Sequence, residues 1–326
     1  MSLKFFVTGG AGFIGSTFCD TALARGCQVV NFDDFSTGQE FFIQGALKNP
    51  HYKVVRGDIR SFEVLQQAIG DFKPNWVVHF AANADVRKGF QNPRKDLDYN
   101  TIGTYNVAEA SRLSGVKNIL FSSTGCVYGE PEVFPTPENV SFPEQTSLYG
   151  SSKVAGEGIL SAYSKGYDLN AIVFRFVSIL GARYTHGHVF DFVKKLKADP
   201  TQIEVLGDGN QTKSYLHIKD LMKGLWCAID ATEQKGIKGY QVFNIGHDDF
   251  MKVTENVKII AKRMGLNPKL NFTGGVRGWI GDSPTVRLDT SKLKKLGWSV
   301  NHSIEQGVID TVDALIENSH LLGLRQ

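Results

Sequence analysis

The chain has 326 residues, of which 42% are hydrophobic, and a formal net charge of +3. That composition can build a large core in one domain or in two closely packed ones, and the scattered Lys and Arg argue against nucleic acid as a partner. No apolar run approaches the roughly 18 residues of a membrane span, and no basic leader opens the sequence. Cys19, Cys27, Cys126 and Cys227 stand far apart without CxxC spacing, which predicts free thiols in a reducing cytoplasm.

In chain order, short β-rich runs alternate with helical stretches: Phe5–Thr8, Val29–Asp33, Val54–Arg56, Trp76–Phe80, Ile119–Ser122 and Ala171–Phe176. This rhythm predicts a doubly wound α/β fold on a parallel sheet, whose strands are apolar throughout because both faces are covered. The pattern loosens after residue 176. The reading is a Rossmann domain over 1–176, with later strands returning to it around 215–246, and a smaller, interleaved α/β substrate domain over 177–326. Val242–Ile245 reads as one more buried strand.

Gly9, Gly12 and Gly15 follow the first strand and open a helical pattern through Phe18, Ala22 and Leu23. Such glycines allow a tight turn and close approach of a pyrophosphate to the helix N-terminus. Asp33, about 20 residues further on, ends the second strand where a carboxylate bonds ribose hydroxyls and repels a 2′-phosphate, so the motif predicts NAD rather than NADP. Asp58-Ile59 after the third strand either reads an adenine edge or caps the next helix.

Further along, Ser122, Ser123 and Thr124 end a strand at the sheet edge where such folds bind ligands. Thr124 offers a hydroxyl to a developing oxyanion. Tyr149 and Lys153 are one helical turn apart on one face. A nearby ammonium and a positive nicotinamide ring favour the phenolate of Tyr149, which can take a hydroxyl proton as hydride leaves the same carbon. Cys126 reads as a small filler, since no His base stands beside it.

The run GGAGFIG from Gly9, SST at Ser122–Thr124, VYG at Val127–Gly129 and YGSSK from Tyr149 together resemble the extended short-chain dehydrogenase/reductase superfamily. Within it, the chain resembles the NAD-dependent epimerase/dehydratase family, with the UDP-glucose 4-epimerase pattern nearest. Counterparts continue through Gly207–Gln211, Lys213, His217–Asp220, Asn244–Gly246 and Leu296–Trp298, so the resemblance covers nearly the whole chain.

The resemblance implies that Gly9, Gly12, Phe13, Ile14, Asp33, Phe35, Ser36, Asp58, Ile59, Phe80, Ala81, Ala82, Asn100, Ser122 and Phe176 line the NAD site, with Lys153 holding the nicotinamide ribose. Thr124 and Tyr149 handle the sugar hydroxyl. Asn83, Ser123, Ser178, His188, Val189, Gln211, Lys213, Arg277, Asp282 and Val286 fall on substrate-contact positions. Such enzymes oxidise the sugar at C4, let the keto-sugar turn, and return hydride to its other face.

Two departures concern the substrate diphosphate: Ser178 stands where the family usually has Asn, and Lys213 where it has Arg. Lys213 lacks the guanidinium fork, which shifts weight to Arg277. Val286 leaves room for a 2-acetamido group, predicting activity on N-acetylhexosamines as well as hexoses. Gly125 and Cys126 follow Thr124 where sugar dehydratases carry Asp-Glu, which argues against dehydration. His186 and His188 lack the carboxylates or thiols that would complete a metal shell, so no metal is expected.

The reading is therefore an NAD-dependent epimerase of a UDP-hexose or UDP-N-acetylhexosamine. The alternatives are a 4-reductase or dehydrogenase of nucleotide sugars, a C2 epimerase of a deoxy sugar, and a non-catalytic NAD sensor. The resemblance also implies a homodimer, with the helices over 100–114 and 149–165 meeting their mates through Ala108, Ala110, Gly156 and Gly158.

Overall fold

The seven apolar runs all become strands of one sheet. In the computed structural model, which describes residues 2–86, 89–141, 144–279, 281–283 and 285–323, they are β1 (Lys4–Thr8), β2 (Gln28–Asp33), β3 (Tyr52–Arg56), β4 (Trp76–His79), β5 (Asn118–Thr124), β6 (Asn170–Phe176) and the strand Tyr240–Ile245. The sheet order is Tyr240–Ile245, β6, β5, β4, β1, β2, β3. β1 runs parallel to both β2 and β4, and the β2–β3 and β4–β5 pairs are parallel as well. The order reverses between β1 and β4, the switch point at which doubly wound sheets open a crevice beyond their strand ends.

Both faces of this sheet are covered, which explains the unbroken apolar strands. Phe6, Val30, Val77 and Phe121 join Leu65, Ile69, Val107 and Leu160 of the flanking helices in one core. On β1, Phe5 meets Phe18 and Trp226 edge-on at 5.5 Å, and those two rings stack at 5.3 Å.

Two compact units divide the chain. The first is Met1–Val127, Ser147–Arg175 and Trp226–Phe243; the second is Tyr128–Thr146, Phe176–Leu225 and Asn244–Gln326. Tyr128–Thr146 thus groups with the second unit, although it precedes residue 176. No hydrophobic signal marks that excursion, because the described part of the segment is built of turns and bends rather than a periodic element.

In the second unit, Thr212–Lys213 lies between Thr285–Val286 (parallel) and Met251–Lys252 (antiparallel), and Ser178–Leu180 pairs in parallel with Tyr215–His217. The helices His188–Ala198, Val253–Arg263 and Ile304–Glu317 pack on one another.

The helix-face expectation needs correcting. Ala108 and Ala110 are fully buried within the first unit, and Gly156 packs against the Phe121 ring, 3.0 Å from where a Cβ would stand. Only Gly158 of the four faces open space. Ala108, Ala110 and Gly156 are taken up by packing inside the first unit.

Candidate active site

Backbone hydrogen bonds fold the loop after β1 into a tight turn. Gly9 sits at φ +72 and its N–H donates to the Phe32 carbonyl at 2.9 Å, while the Gly12 N–H donates to the Gly9 carbonyl at 3.1 Å. A Cβ on Gly9 would lie 2.7 Å from the Ala81 nitrogen, and one on Gly15 would collide with the Gly9 carbonyl. The turn therefore needs glycine at both positions. Gly12 is the N-cap of the helix Phe13–Ala24 and places no side chain over its end, leaving that positive end able to take a phosphate.

Asp33 ends β2 against the same loop. Its carboxylate accepts the Ala11 N–H and the Phe35 N–H, each at 2.8 Å. Burial pushes its pKa up, and the two backbone bonds pull it back. Each oxygen keeps a further lone pair, which fits a ribose diol. The buried anion, the glycine cradle and the uncapped helix suit a dinucleotide without a 2′-phosphate.

Other expected cofactor residues have different duties, and of those that follow all but Phe176 fall on the same unit. Asp58 does not cap the helix Phe62–Phe72, whose N-cap is Ser61. Its carboxylate instead binds Arg60, whose guanidinium stacks over Tyr99 at 4.1 Å. The Ile59 side chain is buried in the core, and its carbonyl accepts the Asn106 amide at 2.9 Å. Phe35 adopts φ 58 under the Arg56 guanidinium, and the Ser36 N–H closes a turn onto Asp34. Phe80 packs edge-on against Phe18, and the Ala81 N–H donates to the Thr8 carbonyl at 3.1 Å. Phe176 ends β6 and directly follows Arg175, the last residue of that stretch of the first unit.

Thr124, Tyr149 and Lys153 are brought together. Thr124 is the last residue of β5, and Tyr149 lies in the first turn of the helix Leu148–Tyr167, capped by the Ser147 hydroxyl accepting the Gly150 N–H at 3.0 Å. The Thr124 hydroxyl acts on the Tyr149 phenol and draws its pKa down. Lys153 is 2% exposed, and its Nζ donates to the Ser122 carbonyl at 2.8 Å. The Phe121 ring lies 4.8 Å from the same ammonium. Ser122 in turn gives its hydroxyl to the His79 carbonyl.

The charges differ from the simple phenolate–ammonium picture. Burial pushes the Tyr149 phenol above its usual pKa, and the Thr124 hydroxyl only partly offsets it. Burial also brings Lys153 down to about 7, against the opposing fields of Glu157 and Asp96. In the protein alone the phenol keeps its proton. Among the protein's own groups desolvation outweighs what favours the phenolate, so the expected phenolate needs the nicotinamide charge as well as the ammonium.

Ser123 points away from its neighbours, as strand alternation requires. Its hydroxyl donates to Glu157 at 2.5 Å, and Glu157 is also bound by Nε and one Nη of Arg175 and by the Tyr240 hydroxyl. Asn83 and Asn100 are likewise engaged: the Asn100 amide oxygen accepts the Asn83 N–H at 2.8 Å, and its nitrogen reaches the Ser152 hydroxyl at 3.0 Å. Sequence reasoning missed Glu157, Arg175, Asp96 and His79. A signal existed for Glu157, which follows Lys153 by one turn on the same helix face.

In the second unit, strand register sets Val286 beside Lys213. The Lys213 ammonium binds Asp282 at 2.7 Å, and Asp282 also accepts the Gly278 N–H at 3.0 Å. Arg277 pairs with Glu130 and donates to the Asp282 carbonyl. Both cations assigned to a diphosphate thus already hold acids. Gln211 is buried, with its amide nitrogen on the Leu206 carbonyl; Ser178 is exposed at a strand start; Val189 is fully buried. His188 packs on the Tyr215 ring at 4.6 Å, and burial lowers it to about 3. Ile280 and Pro284, within the segments that carry Arg277 and Asp282, lie outside the described residues.

Comparison with known proteins agrees with this geometry. Residues 5–246 match the NAD dependent epimerase/dehydratase family. A UDP-glucose 4-epimerase of Mycolicibacterium smegmatis is 33% identical over 319 residues, 95% of this chain and 98% of that one. The solved UDP-glucose 4-epimerase of Thermus thermophilus in complex with NAD superposes with a TM-score of 0.84 at 29% identity, covering 97% of this chain and 100% of that one. The Thermotoga maritima UDP-glucose 4-epimerase with UDP-glucose gives 0.85 at 29% identity, with the same coverage.

Proposed function

The chain belongs to the NAD dependent epimerase/dehydratase family, and from that premise we propose that it interconverts the C4 epimers of a UDP-hexose or UDP-N-acetylhexosamine through a transient 4-keto sugar. The observation that carries this reading is the cluster of Thr124, Tyr149 and Lys153 at the end of β5, in the same unit as the glycine loop and Asp33.

NAD, when bound, supplies the hydride acceptor and a positive ring. Gly9, Gly12, Phe13 and Ile14 would hold its pyrophosphate, and Asp33 its adenosine ribose. Tyr149 takes the proton of the sugar 4-hydroxyl and returns it after the sugar has turned. Thr124 donates to the oxygen at C4 as charge builds there. Lys153, held by the Ser122 carbonyl, provides the local positive charge. The net redox change is zero.

The modest Val286 side chain supports a pocket tolerant of a 2-acetamido group, and Lys213 with Arg277 would exchange their acidic partners for the substrate diphosphate. A homodimer is part of the reading: Ile102 (42% exposed), Tyr105 (44%) and Leu113 (48%) form an exposed stripe at helical spacing along Leu97–Leu113. A cytoplasmic setting suits four cysteines that are all free, and no helix among the described residues is long and apolar enough to cross a membrane.

The test is incubation of the purified protein with UDP-glucose, UDP-galactose and their N-acetylated counterparts without added cofactor, reading products by NMR. Epimers should appear, and Tyr149→Phe should abolish them. Conversion that requires stoichiometric NADH would point instead to the reductase reading.

A further inference from the structure

Beyond its first residue, β2 is polar only at Asn31 and Asp33, which strand alternation places on one face. Asp33 takes the N–H of the loop residue Ala11 at 2.8 Å. Asn31, one pleat earlier, lies against the preceding loop residue: a Cβ on Gly10 would run into its amide oxygen and stand 2.7 Å from its amide carbon. The helix that follows the loop presses on the same residue, since a Cβ on Gly15 would stand 2.9 Å from the Gly10 Cα. The Gly10 carbonyl accepts the Cys19 thiol of that helix at 4.0 Å. Gly10 is thus in close contact with strand and helix at once.

Asn31 is fully buried, and its register neighbours on β1 and β3 are Val7 and Val54. Its Nδ2 donates to the Tyr52 hydroxyl at 2.9 Å. Its Oδ1 has no hydrogen-bond partner among the described residues; what it faces is the Cα–H of Gly10, a weak contact. Packing alone does not call for this arrangement. A buried carbonyl oxygen without an N–H or O–H donor costs stability, whereas apolar groups of the same shape in place of the whole Asn31–Tyr52 pair would cost little or nothing. A core residue that breaks the local rule in this way, next to a ligand loop, is expected to serve function.

We propose that Asn31 is a positioning residue for the NAD pyrophosphate: anchored by Tyr52, it fixes Gly10 while Asp33 fixes Ala11, so that one strand holds two consecutive residues of the loop and sets the helix start that follows them. A loop already held in its binding shape loses less of the binding free energy to ordering. This role rests on the glycine loop as the dinucleotide site and is independent of which sugar is converted.

The test measures NAD affinity and stability on the same full-length chains. Bound nucleotide is removed with charcoal, NAD is titrated back by calorimetry, and the melting temperature of the NAD-free chain is recorded. Asn31→Leu combined with Tyr52→Phe should raise the dissociation constant for NAD about tenfold, while the melting temperature stays within about 3 °C of the wild type or rises. Tyr52→Phe alone leaves Asn31 in place without its anchor and should raise the constant less, by about threefold. Val29→Ala, a buried position one pleat before Asn31, should lower the melting temperature and leave the constant unchanged. A double variant whose affinity lies within about twofold of the wild type would overturn the proposal, as would a loss of affinity that follows the melting temperature across all three variants. If the double variant does not fold, Asn31→Ala takes its place, and failure of both to fold assigns Asn31 to the fold alone and overturns the proposal too. A wild-type chain that takes up no NAD would refute the glycine loop as the cofactor site together with this role; a wild type that binds NAD, with the variants matching it, refutes the role of Asn31 alone.

Discussion

The Ser123 hydroxyl lies 2.5 Å from a carboxylate oxygen of Glu157, one helical turn past Lys153. That bond joins the end of β5 to the catalytic helix from the side opposite Thr124. The same carboxylate binds Arg175 on β6, so strand, helix and next strand are clamped at one buried point. The reacting groups themselves are held from the other side by the Lys153–Ser122 contact.

Ser123→Ala should therefore behave as a stability variant. Removing the hydroxyl takes one hydrogen bond from a buried charge, a loss of about 1.5–3 kcal/mol, while KM for the sugar nucleotide should stay within about twofold, well under the tenfold that 1.4 kcal/mol represents. Thermal denaturation and steady-state kinetics on one preparation decide between this and the substrate contact that the family pattern implies. A tenfold rise in KM with unchanged stability would restore the substrate role.

Glu157→Gln should be far more damaging. The substitution removes the anion of a buried ion pair whose Arg175 side chain is 14% exposed, and breaking such a pair costs about 3–5 kcal/mol. A fall of that size in the unfolding free energy from urea denaturation is expected. Arg175→Met combined with Glu157→Leu should recover much of it, since both charges then leave the interior.

Much of the sheet was legible because each strand is an apolar run with both faces covered; Trp76-Val77-Val78-His79 reads through even with a histidine in it. The glycine loop was legible because its spacing is local and its backbone demands glycine. The clamp at Glu157 and the buried Asp96 were not. Glu157, Arg175 and Asp96 are polar residues whose partners come from distant strands and helices, and nothing in their immediate neighbours separates a buried carboxylate from a solvated one. The segment Tyr128–Thr146 escaped for a related reason, since its membership is decided by contacts such as Tyr128 to Asn244 at 2.7 Å, far off in sequence.

Gly15→Ala should weaken cofactor retention and stability together. The added methyl would press on the Gly9 carbonyl and the Gly10 Cα, both backbone atoms of the turn itself. Overpacking of this kind costs about 1–3 kcal/mol. Absorbance of NAD released on heat denaturation, compared with protein concentration, should fall well below that of the wild type. Gly158→Ala, at an open helical position, should leave both unchanged.

Thr124→Val should lower kcat with little change in KM. The hydroxyl draws down the pKa of Tyr149 and, in the proposed mechanism, donates to the sugar oxygen as it gains charge; loss of one such donor costs about 100- to 1000-fold in rate. Rate measurements across pH would add a second readout. Losing the hydroxyl removes that pull on the phenol, so the acid limb should move to higher pH.

Acid sensitivity should trace in part to His79. This ring is buried between the Thr8 hydroxyl at 2.7 Å and the Thr104 hydroxyl at 3.1 Å, with burial and then Lys153 bringing its pKa down to about 3 from 6.5. In the unfolded chain it takes a proton near its ordinary pKa; in the folded chain it does so only near 3. The unfolded state therefore binds more protons throughout that window, and stability must fall as pH drops from about 6.5 toward 3. One such group contributes a slope of about 1.4 kcal/mol per pH unit. Replacing it with glutamine, which has an amide donor and acceptor but no titratable ring, should flatten the pH dependence of the unfolding free energy by about one proton. His188, brought down to about 3 by its own burial, should supply a second increment of the same sign, so His79→Gln should remove only part of the acid slope. An unchanged slope would mean that the ring is protonated in the folded protein and that Thr8 and Thr104 both accept from it.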